Sequence, residues 1–239
     1  MGRLLLIRHA QASFLSPNYD KLSDLGEKQA RLLGEYWAKR NTGFDRAWTG
    51  PCVRHKDTAR LAREACVHVG LQFPEPVVVP EFDEYQGDEV LQRSLPRLLE
   101  SSDRIRELHK AFEKSDGYYE KFKTFQKMFE AVISMWVDGK ISPDGVESWT
   151  EFSIRVNQGL THILSASRHG ERVVVFTSGG PIALAVQRAL QLTPQNTLQV
   201  SWMSQNCSVS EFLFSKDRFT LSTFNSFPHL DDSTLQTYR

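Results

Sequence analysis

The sequence predicts an α/β protein: a three-layer α/β/α sandwich with a mostly parallel sheet, helices on both faces and a helical insertion. Short apolar runs alternate with amphipathic segments over most of the 239 residues. Residues 4–7 and 173–176 are apolar throughout, which is typical of parallel strands buried on both faces. The length suits one large domain over residues 1–239, with the insertion at about 90–138.

The first half of the chain predicts strands that alternate with helices. The strand at 4–7 leads into a polar loop at 11–22, after which Ser23 can cap a first helix. A second strand at 44–49 precedes a second helix with an apolar stripe from Thr58 to Val69. A short apolar run at 77–79 then predicts a third strand.

The second half begins with the predicted insertion, which is charge-rich and lacks strand-like runs. Its apolar stripe comprises Phe122, Phe125, Phe129, Val132, Ile133 and Trp136. A capping-box pattern at 148–151 opens another helix. The strand at 172–177 runs into a glycine pair and a helix at 182–190 with Pro181 as its first residue. Residues 207–214 and 219–227 predict a hairpin.

Composition excludes several classes of function. Lys plus Arg and Asp plus Glu each total 29, so the net charge gives no support to a nucleic-acid or anionic-membrane partner. Three cysteines without a C-x-x-C pair argue against a disulfide framework and a zinc site. We expect no cofactor and no metal. No signal-peptide pattern or long apolar run is present, which predicts a soluble, cytoplasmic protein.

Three basic side chains form the candidate site. Arg8 and His9 end the first strand, and ligands of open α/β sheets bind at that end. Arginine offers phosphate a planar fork of donors, and a neutral imidazole is a competent nucleophile. Arg54 lies in the first turn of the second helix, where a cation opposes the helix dipole. A bound anion would explain its position, so the sequence indicates a phosphate-like ligand.

These residues lie in motifs that together resemble the histidine phosphatase superfamily, also called the phosphoglycerate mutase-like fold, over nearly the whole chain. The matching segments are Leu5-Leu6-Ile7-Arg8-His9-Ala10, Leu22-Ser23-Asp24-Leu25-Gly26 with Gln29-Ala30, Gly50-Pro51-Cys52-Val53-Arg54 with Thr58-Ala59, Pro80-Glu81, Glu147-Ser148 with Phe152 and Arg155-Val156, Phe224-Asn225, and His229-Leu230. Their order and spacing follow the family pattern.

The resemblance implies a metal-independent phosphomonoester hydrolase that acts through a phosphohistidine on His9. Arg8 and Arg54 would hold the phosphoryl oxygens, where charge is concentrated during transfer. An acidic residue would protonate the leaving oxygen and then activate water. Glu81 is the first choice for that role and Glu84 the second, because the local spacing departs from that of the family. The substrate would be a phosphorylated small molecule or a phosphoprotein.

Four departures from the family pattern accompany the match. Ser178 stands where the family has a second histidine, and Ala10, Ala12 and Gly50 replace a glycine, a threonine and a serine. Loss of one strong donor from such a pocket costs about 10²–10³ in rate, which predicts reduced activity. The alternatives are a weak or inactive phosphate-binding or protein-interaction module of the same fold, and a phosphoglycerate mutase-type phosphotransferase.

Further residues are candidates for phosphate binding. Gln11 and Ser13 follow the first strand, and Ser178 and Gly179 lie at the start of a helix, where backbone N–H groups attract anions. His55 follows Arg54 and has two interpretations. Its ring either tilts towards the pocket and supplies a cation that partly replaces the second histidine, or it is a solvated residue on the helix surface. The sequence leaves the substrate and the oligomeric state open.

Overall fold

A computed structural model describes residues 1–13 and 20–238 and contains a six-stranded sheet. The strands are β1 (Gly2–Arg8), β2 (Arg46–Thr49), β3 (Val77–Val78), β4 (Arg172–Thr177), β5 (Val209–Phe214) and β6 (Phe219–Ser226). Their order is β3-β2-β4-β1-β5-β6. The first four strands in this order pair in parallel, whereas β5 and β6 are antiparallel additions. The predicted fold class, with its mostly parallel sheet, is confirmed.

Eight α-helices occur in the described residues. They are α1 (Asp24–Lys39), α2 (Val53–His68), α3 (Gly87–Ser101), α4 (Asp103–Lys114), α5 (Tyr118–Val137), α6 (Trp149–Ala166), α7 (Gly179–Leu190) and α8 (Pro194–Met203). Ser23 caps α1 as predicted, since its hydroxyl accepts the N–H of Gly26. Ser148 and Glu151 form the predicted reciprocal capping box at the start of α6. None of these helices is long and apolar enough to span a bilayer.

The central strands β1 and β4 are buried on both faces, as their sequences predict. On one face, Leu5, Ile7, Val174 and Phe176 form a hydrophobic cluster with apolar residues of α1 and α2. The alternate residues of the same strands, Leu4, Leu6, Val173 and Val175, are also buried. Because successive strand side chains point to opposite faces, these residues lie towards the second helical layer.

The chain divides into two compact units. Unit 1 comprises Met1–Glu84 and Arg155–Arg239 and contains the sheet, whereas unit 2 comprises Tyr85–Ile154 and contains α3, α4 and α5. Within unit 2 the Trp136 ring packs edge-on against Trp149 with centroids 5.6 Å apart, and most of the predicted stripe on α5 is buried. The predicted insertion at 90–138 lies inside this unit.

The structure differs from the sequence prediction at three elements. Helix α7 begins at Gly179 with Ser178 as its N-cap, so Pro181 is its third residue and not its first. The first N–H groups of a helix have no intrahelical acceptor, so proline is compatible with that position. Strand β3 has only two residues, and α8 was not predicted. Of the predicted polar loop, residues 14–19 lie outside the described part of the chain.

Candidate functional site

The candidate site lies in unit 1, where β1 and β4 end side by side. Arg8 pairs in parallel register with Thr177, and the N–H of His9 donates to the carbonyl of Thr177 at 2.8 Å. His9 and Ser178 therefore follow two neighbouring strands at the same edge of the sheet. This is the edge at which the sequence predicted a ligand.

Thr58 joins the first turn of α2 to this edge. Its hydroxyl accepts the N–H of Ala10 at 3.0 Å and donates to the carbonyl of Arg54 at 2.7 Å. Both hydrogen bonds join Thr58 to backbone groups of the protein, and the residue is buried. The threonine therefore fixes Arg54 and its helix relative to the segment that contains His9.

His9 is held as a neutral imidazole with a defined tautomer. Its side chain is 6 % exposed, and Nδ1 lies 2.7 Å from the carbonyl oxygen of Ala10. A carbonyl oxygen only accepts, so Nδ1 has the proton and Nε2 has the lone pair. Burial lowers the pKa of His9 well below its usual value, and the charges of Arg54 and Arg8 lower it further.

Arg54 is paired with a carboxylate that the sequence did not reveal. The Asp20 carboxylate accepts the N–H of Val53 at 2.8 Å and an N–H of the Arg54 guanidinium at 2.8 Å. It therefore lies at the N-terminus of α2, so an internal carboxylate takes the position for which the sequence predicted a bound phosphate-like ligand. Asp20 is a loop residue 34 positions before Arg54, and no motif marked it.

Arg8 is oriented by the loop that follows α8. Its guanidinium donates to the carbonyl of Ser204, and its backbone N–H donates to the carbonyl of Ser208 at 3.1 Å. In the same loop, the side-chain amide of Asn206 donates to the carbonyl of His9 at 3.3 Å. The loop therefore holds both residues of the Arg8–His9 pair.

His55 is fully buried, which excludes the solvated position. Its Nε2 lies 2.6 Å from the Ser178 hydroxyl oxygen, and its ring centroid lies 5.7 Å from that of His9. Burial lowers the pKa of His55 well below its usual value, and the charge of Arg54 adds to that effect. The ring is therefore near the site as predicted, but as a neutral imidazole and not as a cation. A Cβ on Gly50 would lie 2.4 Å from Nδ1 of His55, so glycine at this position makes room for the ring.

The two acidic candidates have different surroundings. The carboxylate of Glu84 accepts the N–H of Gly180 at 3.1 Å, so it lies at the N-terminus of α7 beside Ser178. The Cβ atom of Glu81 packs against α6, since it would lie 2.7 Å from a Cβ atom added to Gly159 of that helix. Its carbonyl accepts a bond from Arg155 at 3.0 Å. The second choice from the sequence is thus the one tied to the Ser178 segment.

The remaining candidates bind neighbouring parts of the chain. The Ser13 hydroxyl donates to the carbonyl of Leu22 at 3.0 Å, and the Gln11 side-chain oxygen accepts the Ser23 hydroxyl at 2.8 Å. Gly179 is the first residue of α7 and is buried. Phosphate binding by Gln11, Ser13 and Gly179 stays a prediction. Among the described residues, no group of three or more His, Cys, Asp or Glu side chains is arranged to hold a metal ion.

Comparisons with known proteins agree with the fold. The structure is similar to a phosphoserine phosphatase mutant from Entamoeba histolytica in complex with phosphoserine (TM-score 0.64, 17% identity, 96% of this chain and 100% of that chain). It is also similar to a mycobacterial glucosyl-3-phosphoglycerate phosphatase with inorganic phosphate (TM-score 0.62, 20% identity, 95% and 98%) and to the alpha-ribazole phosphatase of Shigella flexneri (TM-score 0.61, 17% identity, 94% and 96%). A search of curated proteins found no match.

The family comparison covers most of the chain. The model of the histidine phosphatase superfamily (branch 1) matches residues 4–138 and 91–226. These ranges include most of β1 with Arg8, the adjoining His9, α2 with Arg54, and β4 followed by Ser178. The chain therefore belongs to the histidine phosphatase superfamily (branch 1).

Proposed function

We propose that the protein is a metal-independent phosphomonoesterase in which Nε2 of His9 attacks phosphorus. The observation that supports this most directly is the state of the His9 ring. Nδ1–H donates to Ala10, and the pKa is lowered by burial and by two arginines, so Nε2 keeps its lone pair at neutral pH. A protonated imidazole could not attack.

Arg8 and Arg54 are the groups we assign to the phosphoryl oxygens. Both lie close enough to His9 to lower its pKa through their charge, and the Arg54 side chain is only 12% exposed. A phosphoryl group in transfer concentrates negative charge on its three non-bridging oxygens, so fixed guanidinium groups stabilise the transition state. The same charges favour the unprotonated nucleophile.

We assign the acid–base role to Glu84. In the first step the N–P bond forms at His9 while the bond to the leaving oxygen breaks, and Glu84 gives its proton to that oxygen. In the second step the Glu84 carboxylate takes a proton from water, the hydroxide attacks phosphorus, and the N–P bond breaks. The bond of Glu84 to the N–H of Gly180, beside Ser178, supports this choice over Glu81.

The substrate class we propose is a small phosphomonoester. The names of the similar structures refer to small phosphorylated compounds: phosphoserine, glucosyl-3-phosphoglycerate and alpha-ribazole phosphate. A phosphoprotein would need a wider approach to His9, whose side chain is only 6 % exposed. We place the activity in the cytoplasm because all three cysteines are free thiols.

Hydrolysis of 4-nitrophenyl phosphate in the presence of EDTA tests the proposal. We expect turnover by the wild type, loss to background in His9→Ala, and unchanged turnover in His162→Ala, a control at an exposed position of α6. A His9→Ala protein as active as the wild type would refute the nucleophile. If the folded wild type binds phosphate without turnover, the phosphate-binding module is the correct interpretation.

A further inference from the structure

The proposed reaction leaves a buried pair of side chains, His55 and Ser178, without a role. His55 belongs to α2 and Ser178 directly follows β4, and their Nε2 and Oγ atoms are 2.6 Å apart. Ser178 is 1 % exposed and His55 is completely buried. Ser178 lies beside His9, because the preceding residues Thr177 and Arg8 are paired across β4 and β1.

The direction of this hydrogen bond follows from the surroundings of the ring. A neutral imidazole has a single N–H, and burial with the nearby Arg54 charge keeps His55 neutral. Nδ1 of His55 has no hydrogen-bond partner among the described residues and faces Gly50. A buried N–H without an acceptor is rarer than a buried acceptor without a donor. The proton therefore lies on Nε2 and is donated to the Ser178 oxygen.

This direction determines what the serine can do. A hydroxyl has one O–H and two acceptor positions, and the bond from His55 uses one acceptor position. The Ser178 O–H is then available for a second partner. The Ser178 side chain makes no capping bond to α7, although Ser178 is the N-cap residue of that helix. An oxygen of a phosphoryl group on His9 would be a suitable acceptor.

We propose that His55 is a positioning residue that acts through Ser178: its Nε2–H turns the hydroxyl so that the serine O–H donates to a phosphoryl oxygen held at His9. The inference rests on the proposed function, because it names a donor for that same reaction. No proton is transferred, since His55 keeps its N–H and Ser178 keeps its O–H throughout. Gly50 belongs to the arrangement, because a side chain there would collide with the ring.

A double-mutant cycle tests this assignment with aryl phosphate as the probe. We expect Ser178→Ala to lower kcat about 10²-fold, as for loss of one transition-state donor. His55→Leu, which cannot donate, should lower kcat roughly tenfold, whereas His55→Gln, which offers an amide N–H at a similar reach, should stay within about threefold of the wild type. KM should change little, because the donor acts on developing charge.

The combined variant gives the decisive comparison. If His55 acts only through Ser178, adding His55→Leu to Ser178→Ala causes no further loss of kcat. Losses that multiply, or a folded His55→Gln protein as slow as His55→Leu, would overturn the assignment. If the wild type has no turnover, the proposed function fails. In that case the tautomer of His55 tests the inference separately, and a proton on Nδ1 instead of Nε2 would overturn it.

A spectroscopic measurement applies even if the leucine variant does not fold. Two-bond 1H–15N correlation spectra of protein with 15N-labelled histidine report which ring nitrogen has the proton, and comparison with His55→Gln identifies the His55 signals. We expect the proton on Nε2 of His55 and on Nδ1 of His9. A proton on Nδ1 of His55 would contradict the proposed donor direction.

Discussion

Lowering the pH from 7.5 to 5.5 should destabilise the folded protein by about 4 kcal/mol, because three of its histidines are buried in the neutral form. Burial lowers the pKa of His9, His55 and His229, and that of His229 falls to about 4. In the unfolded chain each imidazole takes up a proton near pH 6.5, whereas the folded chain takes up none until its lower pKa is reached. The unfolded state thus binds more protons, and stability falls as the pH falls.

The magnitude follows from the number of buried rings. Between pH 7.5 and 5.5 each neutral buried histidine changes the free energy of unfolding by about 1.4 kcal/mol, so three give about 4 kcal/mol. For His229 the loss continues until the pH reaches about 4. Single domains are typically stable by about 5–15 kcal/mol, so this change is a large fraction of the total.

Urea unfolding followed by tryptophan fluorescence at the two pH values measures the effect. His229→Leu, which removes one ring whose nitrogens both lack partners among the described residues, should reduce the difference to about 3 kcal/mol. His162→Leu is the matched control, because that side chain is exposed on α6 and hydrated in both states. Equal stability at the two pH values would refute the reasoning, as would equal effects of the two leucine substitutions.

Three further predictions concern the site. In steady-state kinetics with a poor leaving group, Glu84→Gln should lower kcat about 10²–10⁴-fold, whereas Glu81→Gln should have little effect. The reverse pattern would show that Glu81 is the acid. Arg54→Ala should weaken phosphate binding roughly tenfold or more by calorimetry, since it removes a largely buried cation, and unchanged affinity would exclude Arg54 from the oxyanion contacts. Ser178→His should lower activity, because His55 already lies 2.6 Å from the serine oxygen and leaves no room for a second ring. Activity should recover only when His55 is also replaced by alanine. Activation by Ser178→His alone would show that the pocket has room for both rings.

Much of the fold could be predicted because its signals are local. The apolar run that became β1 and the strand at 172–177 are buried on both faces, and parallel strands of this kind have few polar residues. The capping residues Ser23 and Ser148 also depend only on their immediate neighbours. Helix α8 lacks such a signal, since its apolar residues follow no clear helical period. The capping residue Thr193 was the sequence signal that could have indicated this helix.

The site could be predicted only where a motif contributes its residues. Arg8, His9 and Arg54 became candidates because they lie at a strand end and a helix start and within motifs that resemble the family, and their roles stay predictions. Asp20 was missed because its contact with Arg54 forms only in the folded protein, and no motif in the sequence includes it. His55 was ambiguous because it lies among the polar residues of the first turn of α2, where sequence does not show which side faces the core.

The choice between Glu81 and Glu84 was also a problem of local geometry. The chain forms a 3₁₀ turn at Pro80–Phe82, which contains Glu81, whereas Glu84 lies beyond the end of the turn. The carbonyl of Phe82 accepts the Thr177 hydroxyl at 2.7 Å, which fixes this turn against β4. Glu84, which follows the turn, then reaches the N-terminus of α7. The spacing of Glu81 and Glu84 along the sequence does not show which of them contacts this helix.

The charges that serve the proposed chemistry also add to the acid sensitivity of the site, which burial mainly causes. After burial, the charge of Arg54 is the next contribution to the lowered pKa of His9 and of His55, so one guanidinium helps to keep both the proposed nucleophile and the His55 ring neutral. A phosphate dianion placed between Arg8 and Arg54 offsets their positive charge, and this raises the pKa of both imidazoles relative to the empty site. Binding of substrate and binding of protons at these rings are therefore coupled, with the same sign. In the proposed reaction, the negative charge of the bound phosphate therefore stabilises the cationic ring that His9 becomes when it is phosphorylated.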